Sequence, residues 1–317
     1  MTIRPLCFAS FVFGSYEKYI PFYIYSIAKS YPNAYVKIFT EDTLSKNIQE
    51  ALNILNEFSF CNFEILKPKL PANYYSEFQI GNGKNQTGKM ARWFLEYSHF
   101  QDFSYCYIGD VDFLHLPEKI HIVDFHKKNL ERFSLPFSNM VRKNEFGKPI
   151  RRMAGWHFFN PKEYYEGVEP IIEKLKQDKE YRMSFLDGLE RNEHFLYELT
   201  KEAFDFNDLQ LAEMHRPWHG LHIGISRGNK NIDIQTIENN TSLPIDETKR
   251  LLTQFSDDPV FKRLQNIIYI LELDVIFQEL NINRPVKWRW RRFEYRTQRH
   301  LKNVFKHIKR WLKWAIE

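Results

Sequence analysis

The sequence predicts an α/β fold: a mixed sheet flanked by helices, followed by a helical C-terminal extension. Three observations predict it. Short apolar runs alternate with helical patterns through the first half of the chain, which is how a sheet layered by helices reads in sequence. An apolar run then ends in the acidic segment Gly109-Asp110-Val111-Asp112, as expected where a sheet strand delivers polar residues to its carboxyl end. From residue 245 the pattern turns to helix only. Length and composition agree, because 317 residues with 43% hydrophobic content supply a large core.

Taken in order, residues 5–13 read as a buried first strand, and residues 16–30 as a helix with Tyr19, Phe22, Tyr23 and Ile27 on one face. Residues 35–39 form a second strand. Thr43 is placed to cap a helix running to about residue 58. Residues 62–66 give a third strand, closed by Pro68 and Pro71. Residues 79–88, with three glycines and several small polar side chains, read as a mobile loop and a candidate lid. A helix over 89–99 and a buried strand over 104–108 follow. Strands are expected over 133–138 and 153–159, the latter stopped by Asn160-Pro161, and helices over 161–176 and 191–203. The last helices are expected over 245–255 and 257–280, the second ended by Asn283-Arg284-Pro285. The implied division is a sheet domain over 1–240, a helical extension over 241–283, and a basic helix over 284–317.

Composition excludes several classes. Cys7, Cys61 and Cys106 are odd in number and form no CxxC pair, so neither a disulfide framework nor a zinc site is expected, and a reducing cytoplasm is the simplest home. No apolar stretch approaches the roughly 20 residues of a membrane-spanning helix. The apolar start is short for a signal peptide, and the sequons at Asn85, Asn239 and Asn240 then read as chance matches. The net charge of +5 is a property of the tail. From Arg284 onward twelve Lys and Arg face only Glu294 and Glu317, so the body before it is mildly acidic.

The chemistry centres on Asp110 and Asp112. A bare D-x-D arises by chance about once in a chain of this length. Its position directly after a buried strand gives it weight, and apolar Phe113-Leu114 behind it argues against an ordinary exposed turn. Two carboxylates two residues apart share a hard divalent cation, which in turn bridges the oxygens of a diphosphate. Lys89 and Arg92 lie one turn apart on the preceding predicted helix. Further on come Met153-Ala154-Gly155-Trp156-His157 and His222-Ile223-Gly224-Ile225-Ser226-Arg227.

In this order and with these gaps, the segments resemble GT-A glycosyltransferases, loosely the family 8 enzymes and those that build bacterial surface polysaccharides. The resemblance covers roughly residues 5–227. It implies a Rossmann-like mixed sheet, a nucleotide-sugar donor with UDP favoured, and Mn²⁺ or Mg²⁺. It makes Asp112 the principal metal ligand, Asp110 a contact to metal or donor sugar, and His222 the third ligand, with His219 in the same His-rich segment as a rival. Arg92 is directed at the diphosphate or donor sugar, with Lys89, Ala154, Gly155 and Arg227 around it. The base would rest at the ends of the first two strands, on Ser10, Phe11, Thr40 and Asp42. The family 8 late motif has a longer His-to-Gly gap and a Lys-Pro-Trp, whereas this chain has His-x-Gly-x-x-Arg, which leaves the donor sugar open.

Glycosyl transfer needs the nucleoside diphosphate to leave as an anion, and an inverting enzyme also needs a carboxylate base. Asp187, Glu190 and Glu193 are the candidate acids, with Glu193 at the start of a helix first and Asp187 next. Whether configuration is retained or inverted stays open.

In the tail, Phe293, Leu301, Val304, Phe305, Ile308, Trp311 and Leu312 recur on one helical stripe among Lys and Arg. Trp288, Trp290, Trp311 and Trp314 suit a headgroup boundary. The expectation is an anionic membrane surface as partner, on the inner face of the plasma membrane, with a glycan or glycolipid acceptor. The same stripe also suits packing on the body or an oligomer contact. Nucleic acid is not expected, since the body is acidic and carries no reader motif. The competing functions are a nucleotidyltransferase, disfavoured because Phe13-Gly14-Ser15 is no Gly-rich phosphate loop, and a non-catalytic membrane adaptor.

Overall fold

The computed structural model describes residues 4–58, 61–81, 83–214, 218–227 and 232–292. Strand β1 (Arg4–Phe11) is central. It pairs in parallel with β2 (Tyr35–Phe39), which pairs with β3 (Phe63–Leu66), and on its other edge with β4 (Phe103–Ile108). After β4 come β5 (Phe113–Leu114), β6 (Phe137–Ser138), β7 (Val141–Lys143), β8 (Pro149–Met153), β9 (His157–Phe159) and β10 (Leu221–His222). The main sheet has the order β3-β2-β1-β4-β9-β6, with β9 antiparallel to both neighbours. Two small ribbons, β5 with β10 and β7 with β8, stand beside it.

Strand β1 shows why the sheet is covered on both faces. Leu6 and Phe8 point into one apolar cluster, while Cys7, Ala9 and Phe11 point into another, so an unbroken apolar run is needed. The first cluster is closed by the helices Ile20–Ser30 and Lys46–Asn56, the second by Pro161–Gln177 and Asn192–Ala203. Helix Pro161–Gln177 starts where Asn160 Oδ1 accepts from the Glu163 amide and Pro161 takes the first position. It buries Tyr164, Tyr165, Val168, Ile171, Ile172 and Leu175, a helical stripe in which each side chain contributes about 1.5–3 kcal/mol. The three cysteines are free.

Several elements depart from the sequence reading. Residues 79–88 are not a loop throughout: a helix occupies Lys84–Met90, with Thr87 fully buried and its carbonyl accepting from the Tyr74 hydroxyl at 2.9 Å. Two of the three glycines there, Gly81 and Gly88, serve close packing. Gly81 sits at φ +53 against the Glu190 backbone, where a Cβ would lie 2.1 Å from a carbonyl oxygen. The helix expected over 89–99 is two short 3-10 turns, Ala91–Phe94 and Tyr97–His99. The helix assigned a Thr43 cap begins at Lys46, with Ser45 in the cap position. The strand expected over 133–138 shrinks to β6 because helix Ile122–Phe133 precedes it, ended by Ser134 at φ +53. The strand expected over 153–159 splits into β8 and β9 around Ala154-Gly155-Trp156.

Beyond residue 241, helices Ile245–Asp257, Pro259–Ile267 and Leu271–Glu279 add Leu252, Phe261 and Phe277 to the same cluster as Phe8. The expected single helix over 257–280 breaks at Asp258-Pro259, where proline disfavours a helical residue before it, and again at Ile268–Ile270. Residues 286–292 are helical. Trp288, expected at a membrane boundary, is instead fully buried, and its indole donates to the Gln265 carbonyl at 2.7 Å. Arg284 and Arg292 both pair with the buried Asp274. Trp290 is exposed. The tail stripe from Phe293 to Leu312, with Trp311 and Trp314, lies outside the described residues. Among the described residues no helix is long and apolar enough to cross a membrane.

Candidate active site

Parallel pairing brings the carboxyl ends of β1 and β4 side by side, and the Gly109 amide donates to the Ala9 carbonyl at 3.1 Å. The chain leaving β4 carries Asp110, Val111 and Asp112 across this end. Gly109 has no room for a side chain, because a Cβ there would lie 2.4 Å from Trp156 Cδ1. Its absence lets the indole close over the strand exit.

Asp112 is placed by the β5–β10 ribbon. His222 lies opposite Phe113 in the register, and the Asp112 carbonyl accepts from the Ile223 amide at 3.0 Å. The His222 Nε2 then stands 3.3 Å from Asp112 Oδ2. The 3-10 turn Ile223–Ser226 carries Arg227 back to the same carboxylate, where its Nη2 donates to Oδ2. Gly224 makes this approach possible, since a Cβ would lie 1.9 Å from that oxygen. Asp112 is 1% exposed. Burial alone would raise its pKa, but the His222 hydrogen bond and the charges of His222 and Arg227 hold it below the usual carboxylate range.

Asp110 is more open, and a second guanidinium holds it. Arg92 is buried and forked, with Nη1 on Asp110 Oδ1 and Nη2 on Asn192 Oδ1, each at 2.7 Å. Asn192 in turn donates to Glu193 Oε2 at 3.0 Å. A polar chain thus runs from Asp110 to Glu193 through Arg92 and Asn192. Gly155 lets it through, since a Cβ there would lie 3.3 Å from Arg92 Nη2 and 3.5 Å from Asp110 Oδ2.

These groups border a cavity of about 370 Å³ whose lining includes Asp110, Trp156, Glu193, Trp218, His222 and Arg227. Lys89 lines it too, and also a narrower recess with Phe11, Phe13, Tyr16 and Arg92. The structure therefore brings together Asp110, Asp112, His222, Arg92, Lys89, Gly155, Arg227, Glu193 and Phe11. Other expected residues stand apart. Asp187 is an exposed residue at the end of helix Lys179–Leu186 and lines neither space. Ala154 is buried, its amide donating to the Met140 carbonyl. Ser10 is buried inside β1. Thr40 accepts from the Asp42 amide, and Asp42 accepts from the Gly14 amide at 2.7 Å, so both tie loops together.

His219 is no rival to His222 here. It is buried elsewhere, with Nε2 3.1 Å from His126 Nε2 and Nδ1 3.3 Å from Glu118. Sequence reasoning missed Asn192, which only its place beside Glu193 would have signalled. It also missed Tyr16, whose hydroxyl accepts from Arg227 Nη1, and the wall of Trp156 and Trp218, whose rings are 5.9 Å apart.

The residues expected to hold a divalent ion match it in donor type but do not converge on one point. Two carboxylates and an imidazole suit Mn²⁺, and the carboxylates alone suit Mg²⁺, and Asp112 Oδ1 is buried with no hydrogen-bond partner among the described residues. Among those residues, no group of three or more His, Cys, Asp or Glu side chains stands gathered around one point. Asp110 is engaged by Arg92 and Asp112 by Arg227.

No family model and no curated protein sequence matches this chain. Comparison with solved structures finds likeness to the glycosyltransferase GlyE of Streptococcus pneumoniae TIGR4, at 15% identity and a TM-score of 0.42, over 90% of this chain and 66% of that one. The galactosyltransferase LgtC, solved with donor and acceptor sugar analogs, gives 13% identity and a TM-score of 0.44 over 90% and 99%. Mouse xyloside xylosyltransferase 1 gives 9% and 0.40 over 64% and 84%. All three are glycosyltransferases. The chain spans about two thirds of the length of GlyE.

Proposed function

We propose that this chain transfers a sugar from a nucleotide sugar, with a UDP-sugar favoured by the motif resemblance, to a glycan or glycolipid acceptor. The observation that carries the reading is the meeting of Asp110 and Asp112 with Arg92, His222 and Arg227 at the carboxyl end of β4. Opposite charges packed this closely beside a cavity suit a diphosphate, which brings anionic oxygens for the cations.

Each group has a task in that reaction. Arg227 and Lys89 both border the cavity and neutralise the departing diphosphate. Asp110, held by Arg92, accepts hydrogen bonds from donor hydroxyls. Asp110, Asp112 and His222 would hold Mn²⁺ or Mg²⁺, which when bound supplies Lewis-acid stabilisation of the leaving group. Glu193, fixed by Asn192 on the cavity wall, is the carboxylate that faces the acceptor and takes its hydroxyl proton or steadies the developing cation. Trp156 and Trp218 offer the acceptor ring an apolar face. The basic residues after 292 belong to this reading as the contact with an anionic membrane surface in surface-polysaccharide assembly.

The test is release of nucleoside diphosphate from a panel of nucleotide sugars. One donor should be hydrolysed slowly by the wild-type protein, and Asp110→Asn and Glu193→Ala should each lower that rate at least about tenfold. Equal rates in all three proteins would remove these residues from the site.

A further inference from the structure

The Asp112 carboxylate is almost fully buried, and such a charge must be compensated. Arg227 does this, and it is clamped while doing so. Its Nη2 donates to Asp112 Oδ2, its Nη1 to the Tyr16 hydroxyl, and its Nε to the Gly224 carbonyl at 3.1 Å. The Tyr16 ring lies 4.9 Å from its central carbon. Yet Arg227 is not sealed in, since its side chain is 38% exposed and borders the larger cavity.

We propose that Arg227 is a displaceable cation that competes with a divalent metal ion for Asp112. This inference rests on the reading of Asp110, Asp112 and His222 as the cation-holding set. A divalent ion held by the Asp112 carboxylate and a guanidinium on the same carboxylate would repel each other at close range, so each weakens the other's binding. Arg227 stabilises the buried carboxylate while no ion is bound. Once free of Asp112, it carries its charge at the cavity, where a diphosphate offers it new partners. An anion that draws Arg227 away therefore frees Asp112 for the ion, and ion and nucleotide bind cooperatively. Thermodynamic linkage makes the enhancement mutual.

Mn²⁺ binding, measured as loss of the free-ion electron paramagnetic resonance signal, tests this without any activity assay. With no nucleotide present, Arg227→Gln is expected to bind Mn²⁺ about tenfold tighter than the wild type, within the usual range of such couplings. Adding UDP should tighten Mn²⁺ binding in the wild type and change it little in Arg227→Gln. Tyr16→Phe, which removes only one anchor of the guanidinium, should shift Mn²⁺ affinity in the same direction by less, and serves if Arg227→Gln does not fold. Equal or weaker Mn²⁺ binding in both variants would overturn the competition. If that binding is still abolished by Asp112→Asn, the cation-holding reading survives alone. No Mn²⁺ binding by any of these proteins, with or without UDP, would overturn both.

Discussion

His222 and Asp112 are 110 residues apart in sequence, and the imidazole Nε2 lies 3.3 Å from the carboxylate because β5 and β10 place Phe113 opposite His222. The ribbon is only two residues long on each strand. It nevertheless sets the site, since it orients both the histidine and the turn that returns Arg227. Replacing His222 with Ala should leave the ribbon intact, lower Mn²⁺ affinity by more than the roughly tenfold that loss of an outer-shell partner costs, and shift the melting temperature little. Metal titration beside a thermal melt checks both halves.

Gly224→Ala probes the turn. Its Cβ would lie 1.9 Å from Asp112 Oδ2 and 2.4 Å from Arg227 Nη2, so the ion pair has to open. Donor turnover should fall by about 10²-fold, the scale of misplacing a site group by about 1 Å, because the methyl displaces the Asp112 carboxylate itself. Circular dichroism should still show a folded protein, because the groups that the methyl meets are polar side chains and Arg227, 38% exposed, can swing outward. Steady-state kinetics on the folded variant decides the matter.

Arg92→Lys tests the polar chain from Asp110 to Glu193. The guanidinium bonds Asp110 and Asn192 at once, and an ammonium has no planar fork to reproduce this. Losing one charged hydrogen bond at a buried group costs about 1.5–3 kcal/mol, so the urea midpoint should drop. Turnover should fall as well, since both Asp110 and Glu193 lose their common anchor. Retained turnover with lowered stability would make Arg92 a purely structural residue.

Much of this was legible in the sequence, for physical reasons. Residues 5–13 read as a buried strand because β1 needs apolar side chains on both faces. Asp110 and Asp112 were legible because a strand end exports its polar residues to solvent or ligand. Pro161 marked its helix because proline and the Asn160 cap both suit a first turn. The rest depended on contacts that no local pattern carries. Gly81 and Gly88 look like flexibility in sequence, but Gly81 sits against the Glu190 backbone and Gly88 against the Phe13 ring. Trp288 looks interfacial beside so many cations, but Gln265 and the core around Phe277 claim it. Tyr16 is a helix-face aromatic by spacing, and only the return of Arg227 across 211 residues makes it part of the site.

Stability should fall on the acid side of pH 6.5. Burial depresses His126 well below its usual pKa and, together with nearby positive groups, pushes His115 and His157 down to about 3. The unfolded chain takes up these protons near pH 6.5, whereas in the folded state His115 and His157 refuse theirs until about pH 3 and His126 stays neutral well below its usual range. The folded form thus binds fewer protons across that window, and its stability drops as pH falls through it. Each such histidine contributes a slope of at most about 1.4 kcal/mol per pH unit. Denaturant titrations between pH 7 and 4 should show this decline, with a shallower slope in His115→Leu. An unchanged slope in that variant would assign the decline to other groups.

The most direct measurement of the central claim is calorimetric binding of UDP in the presence of Mn²⁺, to the wild type and to Asp112→Ala. A donor site built on Asp112 predicts saturable one-to-one binding by the wild type and at least about a tenfold loss of affinity in the variant, a difference of about 1.4 kcal/mol. Equal affinity in the two proteins, with both folded, would contradict the assignment of Asp112 and its partners as the donor site.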